Sequence, residues 1–208
     1  MNDTTSSSHN EARPMSLRER KKRLAQATIE EAALRLFQQQ GYERTSIQDI
    51  ADAVMMSPRT FFRYFASKEE VLFGSMRAIL NDGINFLQNA APTESPHTAL
   101  RATFEYLAGL YQQQRASFLI RYQVAMQTPS VVSIYLYVLA ATEPALCDAL
   151  YSHLEGATNR HELRFLVAIY MTVMRVALEE WLEQEARGDL VSLLRQYLDS
   201  ISSLSHNI

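Results

Sequence analysis

Residues 45–70 read TSIQDIADAVMMSPRTFFRYFASKEE. Two short helix starts follow each other here. Thr45-Ser46-Ile47-Gln48 has the form of a capping box and opens a helix with Ile47, Ile50 and Ala51 inward. Val54-Met55-Met56-Ser57 makes the turn. Ser57 can cap the next helix, and Pro58 suits its first position because the N–H it lacks would be unsatisfied there. Phe61 and Phe65, one turn apart, are predicted to face the core. Ser67-Lys68-Glu69-Glu70 is a further capping box, opening a longer helix that should run to about Asn89. A short helix, a turn and a short basic, aromatic helix is the layout of a helix-turn-helix, whose second helix enters the DNA major groove.

Upstream, residues 1–14 are rich in Ser, Thr and Asn without periodicity, and read as a disordered arm. Ser16-Leu17-Arg18-Glu19 is a capping box, so a helix is predicted from Leu17. Ile29, Ala32, Ala33, Leu36 and Phe37 form its apolar stripe, and Gly41 stops it. Downstream, Ala91 to Pro96 breaks the chain. Helices are then expected at about 97–114, 117–127, 130–155, 160–186 and 189–203. Pro144 should kink or split the third of these, with Thr142 capping its second half; Gly156 and Gly188 read as helix ends. No strand pattern or repeat is visible. The expected fold is all-α: an arm at 1–14, a three-helix helix-turn-helix domain at 15–68, and a helical ligand-binding and dimerisation domain at 69–208.

Composition agrees. The hydrophobic share is 47% and the charged share 21%, ordinary for a chain with a sizeable core, while Gly 6 and Pro 6 are too few for an all-β chain. The longest apolar run is taken as Phe165 to Met174, interrupted by Thr172 and shorter than the roughly 18 residues of a membrane span. There is no signal-type stretch, and Cys147 is the single cysteine, so a soluble cytoplasmic protein with no membrane partner is expected. The net charge of −3 hides an asymmetry. Residues 12–68 hold 11 Lys and Arg against 6 Asp and Glu, whereas residues 69–208 hold 9 Arg against 15 Asp and Glu. A basic head on an acidic body places the polyanion-binding surface at the head.

On a helix from Pro58 to Phe65, burying Phe61 and Phe65 leaves Arg59, Thr60, Phe62, Arg63 and Tyr64 outward. Arg59 and Arg63 are expected on one ridge, where an arginine can clamp guanine O6 and N7 for roughly 1–3 kcal/mol of discrimination. Thr60 can meet a thymine methyl, while Tyr64 and Lys68 can reach phosphates. Thr45 and Ser46 offer backbone N–H groups to a phosphate. With Ser57 and Pro58, these ten residues make the expected DNA surface. The competing reading is a solvated basic helix end. Arg18, Arg20, Lys21, Lys22 and Arg23 form either a phosphate or minor-groove arm or a solubilising face.

Leu36-Phe37, Gly41-Tyr42, Thr45-Ser46-Ile47, Ile50-Ala51, Ser57, Thr60-Phe61-Phe62, Tyr64-Phe65 and Ser67-Lys68-Glu69 together resemble the tetracycline-repressor (TetR) family, over about Arg20 to Phe73. The resemblance implies an all-α homodimer and a repressor released from its operator by a small effector. It also implies that Thr45, Thr60, Tyr64 and Lys68 anchor phosphates and that Arg59 and Arg63 read bases. Two departures stand out. Met55 holds the turn position where the family usually has Gly, at a cost of roughly 1–2 kcal/mol if the backbone is left-handed there. Phe62 replaces a frequent tyrosine.

In the body, Tyr106, Tyr111, Phe118, Tyr122, Met126, Tyr135, Phe165, Tyr170, Met171, Met174 and Trp181 are either core or the lining of an apolar cavity. The ligand set expected is Tyr106, Arg121, Tyr122, Met126, Tyr170, Met174 and Arg175. Arg121 and Arg175 lie in apolar stretches and need anionic partners, either Glu105, Glu143 or Glu179 or the acidic group of an effector. Phe165 to Leu178 is apolar nearly all round, so a dimer partner is expected to cover part of it, with residues 189–203 completing the family's four-helix interface. The body resembles acyl-thioester-type sensor domains. No catalytic, metal or cofactor motif is present: the five histidines include no i, i+4 pair, and there is no Gly-rich phosphate loop. The expected function is a sequence-specific DNA-binding regulator, a repressor released by a small hydrophobic or acyl-type effector. The alternatives are a regulator controlled by a partner protein, an activator without a small ligand, and a helical carrier or enzyme containing this motif.

Overall fold

The computed structural model describes residues 16–91, 95–154 and 159–204. The segments 1–14 and Gly156, read above as an arm and a helix end, lie outside them. Among the described residues the elements are α1 (Leu17–Gln40), α2 (Ile47–Ala53), α3 (Pro58–Phe61), α4 (Lys68–Asn89), α5 (Pro96–Gln113), α6 (Arg115–Met126), α7 (Pro129–His153), α8 (Arg160–Glu183) and α9 (Leu190–Leu204), with no strand.

Local chemistry sets most of the ends. Ser16 Oγ accepts from the Glu19 N–H, and the Glu19 carboxylate accepts from the Ser16 N–H, closing the expected box on α1. Gly41, at φ 89°, ends α1 and donates to the Phe37 carbonyl. The box on α2 sits one residue later than the sequence suggested: Ser46 is the cap and Asp49 its reciprocal partner. Thr45 instead turns inward, where its hydroxyl donates to the Gly41 carbonyl. Ser67 caps α4, but Glu70 does not return to it and accepts instead from the Ala66 N–H.

The long helix α4 is the spine. It packs on α1 at its start and on α5 and α7 along its length, while α8 packs against α5, α7 and α9. Val71, Leu72, Phe73, Met76, Ile79, Leu80 and Leu87 of α4 are buried. Gly83 lets α5 come close: a Cβ there would stand 2.9 Å from Leu107 Cγ, so leucine and helix would have to part.

Helix α7 is not split: it continues through Pro144, and Thr142 donates back to the Val138 carbonyl rather than capping a second segment. The most apolar long helix is also α7, not the Phe165–Met174 stretch. By length and composition α7 could cross a membrane, although it packs here against α4, α6 and α8 and leaves Leu136 and Tyr137 exposed. Helix α8 stops at Glu183, earlier than expected, and Glu185 and Ala186 both take positive φ before Gly188 at φ 86°.

Candidate DNA-reading surface and adjoining cavity

Ile50 and Ala51 of α2, with Phe61 and Phe65 of α3 and the turn after it, are buried in the core as the periodicity predicted, and α2 packs on α1 and α3. Ser57 Oγ accepts from the Thr60 N–H, and Pro58 takes the first helical position. Met55 has φ 52° and is 96% exposed, so the left-handed turn is kept without glycine and the side chain gains no packing for it.

The second helix is shorter than predicted. Only Pro58–Phe61 is α-helical; Arg63 and Tyr64 then donate to the carbonyls of Thr60 and Phe61, three residues back. The Arg63 guanidinium lies 5.2 Å from the Tyr64 ring centre, donates to the Tyr64 hydroxyl at 3.2 Å, and lines a cleft with Leu17, Arg18, Lys21 and Lys22 of α1 that Arg59 does not line. Arg59 stays exposed at the first turn of α3, with the Thr60 hydroxyl bonded to Ser57 beside it and Phe62 54% exposed.

Three expected phosphate contacts are otherwise engaged. Thr45 is buried, its N–H donates to the Tyr42 carbonyl, and its hydroxyl is bonded to Gly41 and Gln40. The Ser46 N–H donates to the Asp49 carboxylate. The Lys68 ammonium donates to the carbonyls of Tyr42 and Thr45, at 3.0 and 2.7 Å, and lies 4.5 Å from the Tyr42 ring centre. It staples the start of α4 to the α1–α2 loop. Tyr42 in turn donates to Glu69; burial and that carboxylate push its phenol well above the ordinary tyrosine range.

Behind this surface lies a cavity at the junction of α4, α5, α6, α7 and α8. About 60 Å³ of it is open to water-sized molecules, room for a few waters. Leu72, Phe73 and Met76 of α4, Phe118, Arg121, Tyr122 and Met126 of α6, and Tyr111, Tyr135 and Leu178 line it. Burial pushes the Tyr135 phenol up to about 12, so it enters the cavity as a neutral hydroxyl. Arg121, Tyr122 and Met126 are thus together as expected. Met174 and Arg175 line an adjoining space that shares Met76, Tyr111, Tyr135 and Leu178. Two residues are elsewhere. Tyr106 stacks on Phe86 at 4.5 Å on the outside of α4 and α5, and Tyr170 donates to the His97 carbonyl at the far end of α5. The contribution of Leu72, Phe73 and Met76 was not anticipated; their i, i+1, i+4 spacing is the signal of a helix face, but not of which face a ligand would see.

Both arginines are ion-paired. Arg175 pairs with Glu179, as anticipated, at 2.8 Å. Arg121 pairs at 2.6 Å with Glu30 of α1, none of the three partners expected. Arg121 also donates to the carbonyls of Leu72 at 2.8 Å and Ser117 at 3.3 Å. Burial lowers the affinity of this guanidinium for its proton and raises that of the Glu30 carboxyl, with the mutual attraction opposing both shifts. Among the described residues, no group of three or more His, Cys, Asp or Glu side chains is placed to hold a metal ion.

Comparisons with known proteins agree with this architecture. The family profile described as "Bacterial regulatory proteins, tetR family" matches residues 29–80, and the "MftR C-terminal domain" profile matches residues 94–205. The HTH-type transcriptional regulator TcmR of Streptomyces glaucescens is 32% identical over 196 residues, covering 90% of this chain and 86% of that protein. The fatty acid degradation regulator FadR of Bacillus halodurans shares the fold at a TM-score of 0.55 and 18% identity, over 83% of this chain and 91% of the other. FadR of Bacillus subtilis, solved in complex with stearoyl-CoA, superposes at a TM-score of 0.50 and 16% identity, over 83% of this chain and 95% of the other. Such relatives are regulators, not enzymes. The chain belongs to the TetR family of DNA-binding, ligand-binding transcriptional regulators.

Proposed function

We propose that this regulator is a cytoplasmic repressor that binds a near-palindromic operator as a homodimer and is released by a small, largely apolar effector of acyl type. The observation that carries the reading is the double duty of α4. Its first residue, Lys68, holds the loop ahead of the helix-turn-helix, and one to two turns later Leu72, Phe73 and Met76 line the cavity. A ligand that moves these side chains moves the same rigid helix that positions α2 and α3. The fold neighbour solved with stearoyl-CoA supports the acyl class. Residues 15–68 are assigned to DNA binding and 69–208 to ligand binding and dimerisation. Exposed Phe165 and Val176 on α8, beside α9, support the latter.

Within the DNA surface, Arg59 is assigned to base edges and Thr60 and Phe62 to contacts beside it. Arg63 and Tyr64, with Arg18, Lys21 and Lys22, are assigned to phosphates. Ser57, Pro58, Thr45, Ser46 and Lys68 hold the backbone that presents them. Footprinting on the DNA upstream of its own and neighbouring genes tests the reading: a protected near-palindrome that is lost on adding an acyl thioester is expected, and absence of any protected palindrome contradicts it. The small cavity favours one second reading, control by a partner protein with no small ligand, under which thermal shifts with hydrophobic acids and acyl thioesters stay flat.

A further inference from the structure

Arg121 lies between two domains and a cavity. It is 6% exposed, and its guanidinium reaches Glu30 on α1, the Leu72 carbonyl on α4 and the Ser117 carbonyl on its own helix α6. The same residue lines the cavity and is the only cation among the lining residues. The only lining carboxylate, Glu179, already faces Arg175. The other polar groups of the lining are tyrosine hydroxyls, and Tyr122 donates its own to Glu183.

The two ends of the Arg121–Glu30 pair are not equivalent. The arginine side chain is 7% exposed and the glutamate 28%. If the pair parts, Glu30 can turn to water at little cost, whereas Arg121 stays desolvated and needs another anion. A neutral ligand cannot supply one. We propose that Arg121 is a latch: a ligand with an apolar body and a carboxylate or similar anionic end enters the cavity, takes the guanidinium from Glu30, and releases α1, with its helix-turn-helix, from α6. This deepens the reading of the cavity as an effector site and rests on it. Helices α1 and α6 also pack against each other, but the other side-chain hydrogen bond between them, Gln38 to Gln123 at 3.4 Å, is a long bond between exposed amides and does not replace the charged one. A few waters' worth of open space means that the apolar body must also push side chains aside, so entry and release are coupled.

The test uses the full-length protein, amide hydrogen exchange, and the variant Glu30→Gln, which keeps shape at a partly exposed position. Dodecanoate and dodecanol serve as probes with one apolar body and a charged or neutral end. Without ligand, Glu30→Gln should exchange about tenfold faster in α1 and α6 than the wild type, with α8 unchanged. Dodecanoate should produce the same pattern in the wild type and add nothing in the variant; dodecanol should produce neither. Equal α1 protection in variant and wild type overturns the latch. So does an equal response to acid and alcohol, or an acceleration that includes α8, which marks general loosening. An exchange pattern as expected in a protein that protects no duplex would keep the latch and overturn the DNA-binding reading instead.

Discussion

The Arg121 guanidinium of α6 stands 2.6 Å from the Glu30 carboxylate of α1, joining two residues 91 positions apart across the boundary between the DNA-reading head and the body. Removing Glu30 alone strands a buried cation, while removing both partners strands nothing. Glu30→Gln should therefore loosen the attachment of α1 to α6 by about 1.4 kcal/mol, the tenfold gain in local exchange, and adding Arg121→Met should recover most of that loss. Amide exchange in α1 of the two variants checks the sign; a double variant that exchanges faster than the single one contradicts it.

Met55 keeps a left-handed backbone with its side chain in water. Met55→Gly should stabilise the chain by about 0.5–1 kcal/mol, the relief of strain exceeding the extra freedom glycine gains when unfolded. A shift of the urea midpoint to higher concentration at unchanged slope is the expected result.

Arg63 lines the cleft with α1 and Arg59 does not, so their losses should differ. Arg59→Ala should relax preference at one base pair of each half-site, by about 1–3 kcal/mol. Arg63→Ala should weaken all duplexes alike and make the salt dependence shallower by about one unit. Binding titrations across a set of operator variants and salt concentrations separate the two.

Lys68→Met should lower stability by about 1–2 kcal/mol, because two buried loop carbonyls lose a charged donor. Its effect on the salt slope should be smaller than that of Arg63→Ala. A full unit of slope lost with stability intact would return Lys68 to the phosphate surface.

Helices α5 and α9 are joined through Glu105, which meets Arg195 at 2.6 Å and Arg101 at 3.1 Å, while Arg101 meets Asp199 at 2.7 Å. The bond from Arg195, with Arg101 adding to it and burial opposing, holds the Glu105 carboxyl below the ordinary carboxylate range. A depressed carboxylate stabilises the fold above its unfolded pKa, and that contribution fades as pH falls through the folded one. The stability gap between wild type and Glu105→Gln should thus be full at neutral pH and close in acid, below the ordinary glutamate range. Thermal unfolding across that range measures it.

Helix starts were legible because their causes are local. Ser16, Ser57 and Ser67 announce caps within three residues, and Gly41 and the Phe61–Phe65 spacing act within one turn. The same nearness explains the miss at Thr45: it and Ser46 both offer a hydroxyl, and only burial against the α1–α2 loop decides that Ser46 caps. The tightening after Phe61 lies in Arg63 and Tyr64 bonding three residues back, which periodicity does not register. Glu30 as partner to Arg121 was out of reach, since tertiary packing alone chooses among many glutamates. Tyr106 and Tyr170 carried the right chemistry for a cavity and landed on other faces.

The measurement that bears most directly on the whole account is selection of a random duplex library by the purified protein, read by sequencing, with wild type and Arg59→Ala side by side. The account predicts one enriched near-palindrome, its half-sites about one helical turn or a multiple of roughly 34 Å apart, with preference at one symmetric base pair lost in the variant. No enriched sequence at low ionic strength, or the same sequence enriched equally by both proteins, would contradict it.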